Sequence, residues 1–410
     1  MKICYFGTYE KDYPLNNIIV KGLRKNGAEV KECHIVLWEK HKNKHGDFLK
    51  LFSLAKLLVN LIVAYLKLGF RFLKECGDID TVIVGYIGQL DIFWLKFLTL
   101  FKKNKPKIIF IPLVSLYDTA IVDRKLSRRK NIFAKFLFYL DKYSFKIADL
   151  IILDTNEHIN YICGLFDLNK NKFKRVWVGA DEDVFYPMEL EQEKVAQEYF
   201  PPNKRKKYSS FDKGGLSLYP PLDKGGLGGV KFTVLFFGKY IPLHGLEYII
   251  KVAKLLENEE DIKFRMIGNG QLYGEITGLS KNLEIKNVDF IEWVEYNELV
   301  SEINKSDVVL GIFGGTDKSL RVIPNKVFQA IACRKAVITG DSPAIKELFT
   351  SRKNILLCEN KDEKSLKNAI LELRDDGELR DEIAKGGYGV FKNRLDCEKT
   401  GRKIMDLLLF

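Results

Sequence analysis

Phe232-Thr-Val-Leu-Phe-Phe-Gly-Lys-Tyr-Ile-Pro-Leu-His-Gly-Leu-Glu-Tyr-Ile-Ile250 carries the strongest local signal in the chain. Six apolar, β-prone residues (Phe232–Phe237) halt at a glycine, and an amphipathic run begins at Leu246. Strand, loop and helix in that order form the first arm of a parallel βαβ unit. Gly238 lets backbone approach a ligand closely, Lys239 offers a cation at the strand end, and Gly245 opens the helix. A diphosphate needs such donors. A plain βα loop with a solvated lysine has the same pattern, and this loop alone leaves both readings open.

Working outward, the second half continues the pattern, with strands expected at 262–267, 288–292, 308–312, 336–339 and 355–358. Helices are expected at 246–256, 297–304, 326–333 and 364–373. The first half has the same alternation, with strands expected at 2–6, 28–35, 81–84, 107–111, 150–153 and 173–178. Between the halves, Pro201–Lys207 is rich in Pro and Lys, and Asp-Lys-Gly-Gly-Leu occurs at both 212–216 and 223–227. Gly and Pro at that density carry neither helix nor strand periodicity. The expected organisation is a first domain at 1–187, a linker or insertion at 188–230, and a second domain at 231–388. A final helix at 389–410 is expected to pack back on the first domain. Two doubly wound parallel-sheet domains in series leave a cleft between their sheet edges, where a ligand would sit.

A chain of 410 residues, 46% hydrophobic and 29% charged, is too well balanced for wholesale disorder, a collagen repeat or a polytopic membrane protein. Its net charge of +12 suits an anionic partner: nucleic acid, a phosphorylated ligand or an acidic membrane face. No recognition-helix or zinc-finger module supports nucleic acid. The seven cysteines include no CxxC pair and the histidines no HExxH, so spacing indicates no metal site. Scattered, odd-numbered cysteines point to a reduced compartment. The apolar run Met1–Gly7 is too short for a signal peptide, which makes a cytoplasmic location the expectation.

A second anion-binding candidate is Ile323-Pro-Asn-Lys-Val-Phe-Gln-Ala330, where Pro324 is expected at the first position of a helix. The free N–H groups of Asn325, Lys326 and Val327 and the Lys326 ammonium would then meet an anion with the helix dipole in its favour. The bland alternative is a Pro-started structural helix. Lys239 and Lys326 each follow a strand, so both can face one cleft.

Two basic amphipathic stretches stand out in the first half, Phe48–Lys74 and Arg124–Lys146. Their charges recur too often for a membrane span. They are either helices covering the sheet or helices that lay an apolar face on anionic lipid.

In order and spacing these motifs resemble family 4 retaining glycosyltransferases. The likeness rests on Phe236–Ile250, Met266-Ile-Gly-Asn-Gly270, Pro324–Cys333 and Ala336–Glu347. In the first half it rests on Ala148–Thr155, Val176–Asp181 and Val184-Phe-Tyr-Pro187. The resemblance implies a GT-B architecture: two Rossmann-like doubly wound domains, the donor nucleoside diphosphate sugar held mainly by the second and the acceptor by the first. It implies metal-independent chemistry with no further cofactor, because protein cations and a helix end neutralise the leaving diphosphate. By position Lys239 matches the family's usual Arg, and His244 stands where Lys is common. Gly268 falls in the second glycine motif. Trp293 and Val294 match the strand end whose backbone reads the base. Gln329 matches the second of two glutamates eight apart, which binds ribose, and Gly7 matches the first-domain loop facing the diphosphate.

Two departures stand out. The first glutamate of that pair is Arg321, which cannot accept a hydrogen bond from a sugar hydroxyl, and the second is an amide. The first-domain residue that assists catalysis in that family is not fixed by a motif here; Asp118 and Asp123 follow the 107–111 strand and are candidates, and either could instead cap the next helix. His244 could equally be a partly exposed loop histidine without a ligand.

The resemblance implies a hexosyltransferase acting on a lipid-linked or polysaccharide acceptor in cell-envelope glycan synthesis, peripheral on the inner membrane face. Two alternatives stay open. One is a non-catalytic nucleotide-sugar-binding partner of another transferase, prompted by Arg321 and Gln329. The other is a GT-B sugar-nucleotide epimerase, which would need an added acid/base pair.

Overall fold

The computed structural model describes residues 1–11, 13–37, 51–100, 102–188 and 231–409, with the side chains of 51–58 not included. The expected linker, beyond Met188, therefore lies outside the described residues, as does Lys50.

The first half holds β1 (Lys2–Gly7), β2 (Glu29–His34), β3 (Thr81–Val84), β4 (Lys107–Phe110), β5 (Leu150–Leu153) and β6 (Phe173–Arg175). Among them run α1 (Pro14–Lys25), α2 (Leu51–Glu75), α3 (Asp91–Thr99), α4 (Ile132–Ile147) and α5 (Asn156–Phe166). All strand pairs are parallel, in the order β2-β1-β3-β4-β5-β6. β3 (TVIV) and β5 (LIIL) are buried at every residue, as strands covered on both faces must be.

The second half holds β7 (Phe232–Phe237), β8 (Ile262–Ile267), β9 (Val288–Ile291), β10 (Val308–Leu310), β11 (Ala336–Gly340) and β12 (Leu356–Cys358). Its helices are α6 (Leu246–Leu255), α7 (Tyr273–Asn282), α8 (Leu299–Lys305), α9 (Asn325–Ala332), α10 (Pro343–Lys346), α11 (Glu363–Asp375), α12 (Gly377–Arg394) and α13 (Cys397–Leu409). This sheet is also parallel, in the order β12-β11-β10-β7-β8-β9.

Several expected boundaries shift. β6 stops at Arg175 rather than residue 178. Beyond it the chain turns at Gly179 (φ 71°), where an added Cβ would lie 2.1 Å from Leu395 O. β10 stops at Leu310, and just beyond it the Thr339 hydroxyl of β11 accepts from the Ile312 N–H at 3.1 Å. Pro324 is the N-cap of α9 rather than its first residue: its ψ of 144° is extended and Asn325 begins the helix.

α13 packs against α1 of the first domain. The two helices touch backbone to backbone, since a Cβ on Gly22 would lie 2.1 Å from Cys397 O and one on Gly401 2.2 Å from Gly22 O. One apolar cluster lines a face of the first sheet with α2, α3 and α4 (Phe6, Phe72, Leu95, Phe110, Phe145). Another runs from the opposite face into the second domain (Ile83, Val178, Leu235, Phe328).

Candidate donor site at the two switch points

In each sheet the strand order reverses once, between β1 and β3 and between β7 and β10. Open α/β sheets bind ligands at the carboxyl ends of the strands flanking such a point. β1 ends at Gly7 and β7 is followed by Gly238, so the two glycine loops singled out in the sequence occupy the two crevices.

Gly238 adopts φ 135° and Gly268 φ 139°, both in the region that favours glycine. A Cβ on Gly268 would lie 1.9 Å from Gly238 O, so the loops after β7 and β8 interlock. Gly245 (φ 63°) N-caps α6, and a Cβ there would lie 2.6 Å from Gly314 N. Gly7 (φ 141°) would meet Asp91 Oδ2 at 2.3 Å. The Thr8 N–H and hydroxyl donate to the Asp91 carboxylate at 2.8 and 2.9 Å, and Tyr65 donates at 2.8 Å. Burial pushes the Asp91 carboxyl up to about 6 despite those three donors.

Lys326 is the centre of the second crevice. Its side chain is 5% exposed, and Nζ lies 3.6 Å from the Phe236 ring centroid without a hydrogen-bond partner among the described residues. A Cβ on Gly238 would lie 3.4 Å from that ammonium and 3.6 Å from His244 Cε1. Burial holds the Lys326 pKa well below the usual lysine value. His244 is 7% exposed, not the partly exposed loop residue of the bland alternative. Its Nδ1 faces the Lys239 carbonyl, which can only accept, so the proton sits on Nδ1 and the neutral ring leaves Nε2 as an acceptor. Burial and then the Lys326 charge depress its pKa well below the histidine range. Lys239 itself is exposed. A buried, unpartnered amine beside a glycine loop and a helix N-terminus is costly to charge unless an anion completes it.

The other sequence candidates sit around this centre. Asn325, at the start of α9, lies close to the Tyr13 hydroxyl in the loop before α1, so the β1 loop and α9 approach each other across the cleft. Val327 is fully buried. Gln329 is buried, with its amide near the Tyr296 hydroxyl. β9 ends one residue earlier than expected, leaving Trp293 74% exposed and Val294 half-buried beyond it.

Asp118 and Asp123 lie at the two ends of a π-helical turn. Neither caps α4, which Asn131 caps by accepting from Phe133 N. Asp118 Oδ1 accepts from Arg321 Nη2 at 3.1 Å, and Lys318 Nζ is 3.8 Å from Oδ2 and donates to Thr119 Oγ1 at 2.8 Å. Arg321 also stacks on Tyr161, 3.3 Å from its ring centroid, and its carbonyl accepts from the Thr155 hydroxyl. Asp123 is buried and desolvation raises its carboxyl pKa.

Residues 223–390 match the family described as Glycosyl transferases group 1. That match spans the second domain. Sequence likeness to curated proteins lies with uncharacterized glycosyltransferases of Methanocaldococcus jannaschii. One is 26% identical over 172 residues, 40% of this chain and 44% of that protein, so the match spans less than half of the relative's length. Over the whole chain the architecture is GT-B. Sucrose-phosphate synthase from Thermosynechococcus elongatus superposes with a TM-score of 0.69 at 12% identity, covering 100% of this chain and 98% of its own. The Anabaena protein HepE, solved in complex with UDP, gives 0.65 at 13% identity over 100% and 99%. The interlocked glycine loops and Lys326 fall inside the part matched to the group 1 family.

Three features of the cleft were not legible in the sequence: the Asp91 carboxylate under Gly7, the Tyr13–Asn325 contact and the Arg321–Asp118 pair. Asp91 opens α3 in the position of an ordinary first-turn acid. The other two join residues of different domains, and no local pattern pairs those.

Proposed function

We propose that this chain is a retaining glycosyltransferase that moves a sugar from a nucleoside diphosphate sugar to a glycan or lipid-linked acceptor of cell-envelope synthesis. The observation that carries this reading is the buried, unpartnered Lys326 ammonium facing the Gly238 loop. A diphosphate oxygen there supplies the missing acceptor, and the N–H groups at the start of α9 and the exposed Lys239 add donors. The UDP complex of the Anabaena protein supports a nucleoside diphosphate as the occupant.

In the reaction the bond from the sugar's anomeric carbon to the diphosphate oxygen breaks, and one to the acceptor oxygen forms on the same face. The hydroxyl proton passes to the departing phosphate oxygen. Lys326 and the helix dipole stabilise charge where it develops, without metal or further cofactor. Asp118 is committed to Arg321, which leaves Asp123 as the first-domain carboxylate available to the incoming hydroxyl.

The first domain supports a membrane-borne acceptor. On α2 the exposed Val59, Ile62, Leu66, Phe70 (71%) and Leu73 recur every three or four residues. On α4, Ile132 (83%), Phe136, Tyr139 and Tyr143 do the same, beside exposed Lys130 and Lys135. These stripes face away from the sheet. No described helix is long and apolar enough to cross a membrane, so the reading is peripheral docking on an anionic, cytoplasmic face.

The test is release of nucleoside diphosphate by purified protein given UDP-sugars and an envelope-lipid acceptor extract, with the product's anomeric configuration read by NMR. The Asp118–Arg321 pair favours a second reading, a non-catalytic nucleotide-sugar-binding partner. Under that reading the donor binds but no diphosphate is released.

A further inference from the structure

On the face of the first sheet that α2 covers, three of the seven cysteines converge. Cys4 is on β1, Cys33 on β2 and Cys76 just past the end of α2. In the β1–β2 register Cys33 pairs with Phe6, two residues from Cys4, so both thiols leave the same face of the sheet. α2 covers that face and brings Cys76 onto it. The three sulfurs lie within 4.8 Å of one another, and Cys4 Sγ and Cys76 Sγ are 3.4 Å apart. All three residues are fully buried, in an apolar cluster with Phe6, Leu68 and Phe72.

The geometry points to a three-thiolate site for a soft monovalent cation of the copper(I) class, built into the first domain. Trigonal coordination with metal–sulfur bonds of about 2.3 Å places sulfurs about 4 Å apart, which these side chains reach with small rotations. Thiolate ligands select soft cations. Among the described residues no His, Asp or Glu joins the three sulfurs, so the set lacks the fourth ligand of a structural zinc site. Binding forms three Cu–S bonds and releases the three S–H protons to solvent, with no change of oxidation state. The complex then carries two net negative charges, and cations anchored around it oppose them. Lys102 donates to the Cys76 carbonyl, Lys31 to Glu75 O at 2.7 Å, and Arg71 to His34 O at 3.0 Å. Cys76 adjoins the exposed Gly77–Asp78 turn, which offers the cation an entry path.

The experiment is anaerobic competition of the reduced full-length chain for Cu(I) held by bicinchoninate, followed by native mass spectrometry. One copper per chain is the expected stoichiometry. Cys33→Ala and Cys76→Ala should each weaken binding by more than the roughly 10–100-fold cost of losing a supporting contact, while Cys163→Ala, outside the cluster, leaves it unchanged. Copper should also raise the wild-type melting temperature, a readout that stands even if a variant folds poorly. No copper withdrawn by the wild-type chain overturns the site. So does equal affinity in folded Cys33→Ala or Cys76→Ala, or recovery of Cys4 and Cys76 as a disulfide that excludes copper.

Discussion

Arg321 of the second domain donates to Asp118 of the first at 3.1 Å, with both side chains buried and the guanidinium carbon 3.3 Å from the Tyr161 ring centroid. The residue that departs from the pattern implied by the resemblance is thereby matched by a carboxylate from the facing domain. Lys318 adds a second cation to the same carboxylate, so the pair fastens the two domains at the mouth of the cleft.

Asp118→Asn should therefore lower stability by about 3 kcal/mol or more, because two buried cations lose their counter-charge. The double variant Asp118→Asn/Arg321→Gln should recover part of that loss. Thermal and denaturant melts check both, and an unchanged melting temperature in the single variant would remove the fastening role.

Lys326→Met should weaken nucleoside diphosphate binding by roughly 1.5–3 kcal/mol, the scale of a charge-assisted hydrogen bond. In the ligand-free protein the same change should raise the melting temperature, since it replaces an unpartnered buried amine with an apolar side chain. Lys239→Ala, at an exposed position, should cost less affinity. Calorimetry showing wild-type affinity for Lys326→Met would contradict the assignment.

Diphosphate binding should take up protons. Lys326 and His244 have pKa values depressed by burial, and an incoming anion favours their charged forms. Affinity should accordingly fall as pH rises through the free-protein values. Stability of the ligand-free chain has the opposite sign: a depressed base binds fewer protons folded than unfolded, so stability rises with pH between the folded value and the unfolded one. For Lys326 that window ends near 10.5 and for His244 near 6.5. Calorimetry in buffers of different ionisation enthalpy measures the uptake, and a buffer-independent enthalpy would refute it.

Gly268→Ala should abolish donor binding with a loss of stability of about 2 kcal/mol or more, because its Cβ would lie 1.9 Å from Gly238 O at a φ of 139°. Gly274→Ala, with open space around it, is the matched control and should bind normally.

Vesicle co-sedimentation should be strong with anionic lipid at low salt, weaker at high salt and poor with neutral lipid. Leu66→Ser/Phe70→Ser and Lys67→Glu/Lys74→Glu should each reduce it without changing the melting temperature, since these side chains point away from the core. Equal binding to neutral and anionic vesicles would assign these helices to another role.

By itself the sequence determined the two parallel sheets and the glycine loops at their edges. Apolar runs such as Phe232–Phe237 and Leu150–Leu153 can only be strands covered on both faces, and the glycines mark where each chain segment must turn. Those are local signals, carried by a dozen neighbouring residues. What depends on contact between distant segments was decided by the tertiary structure alone. Lys326 reads as a helix-start lysine in sequence, and only the approach of β7 to α9 places its ammonium over Phe236 and removes it from water. Arg321 reads as a lost glutamate until the domains close and Asp118 meets it. Cys4, Cys33 and Cys76 are 72 residues apart end to end, and it is the parallel register of β1 with β2, capped by α2, that brings their sulfurs together. Burial and pairing are properties of the assembled surfaces, so charge, proton affinity and thiol clustering appear only once the sheets are packed.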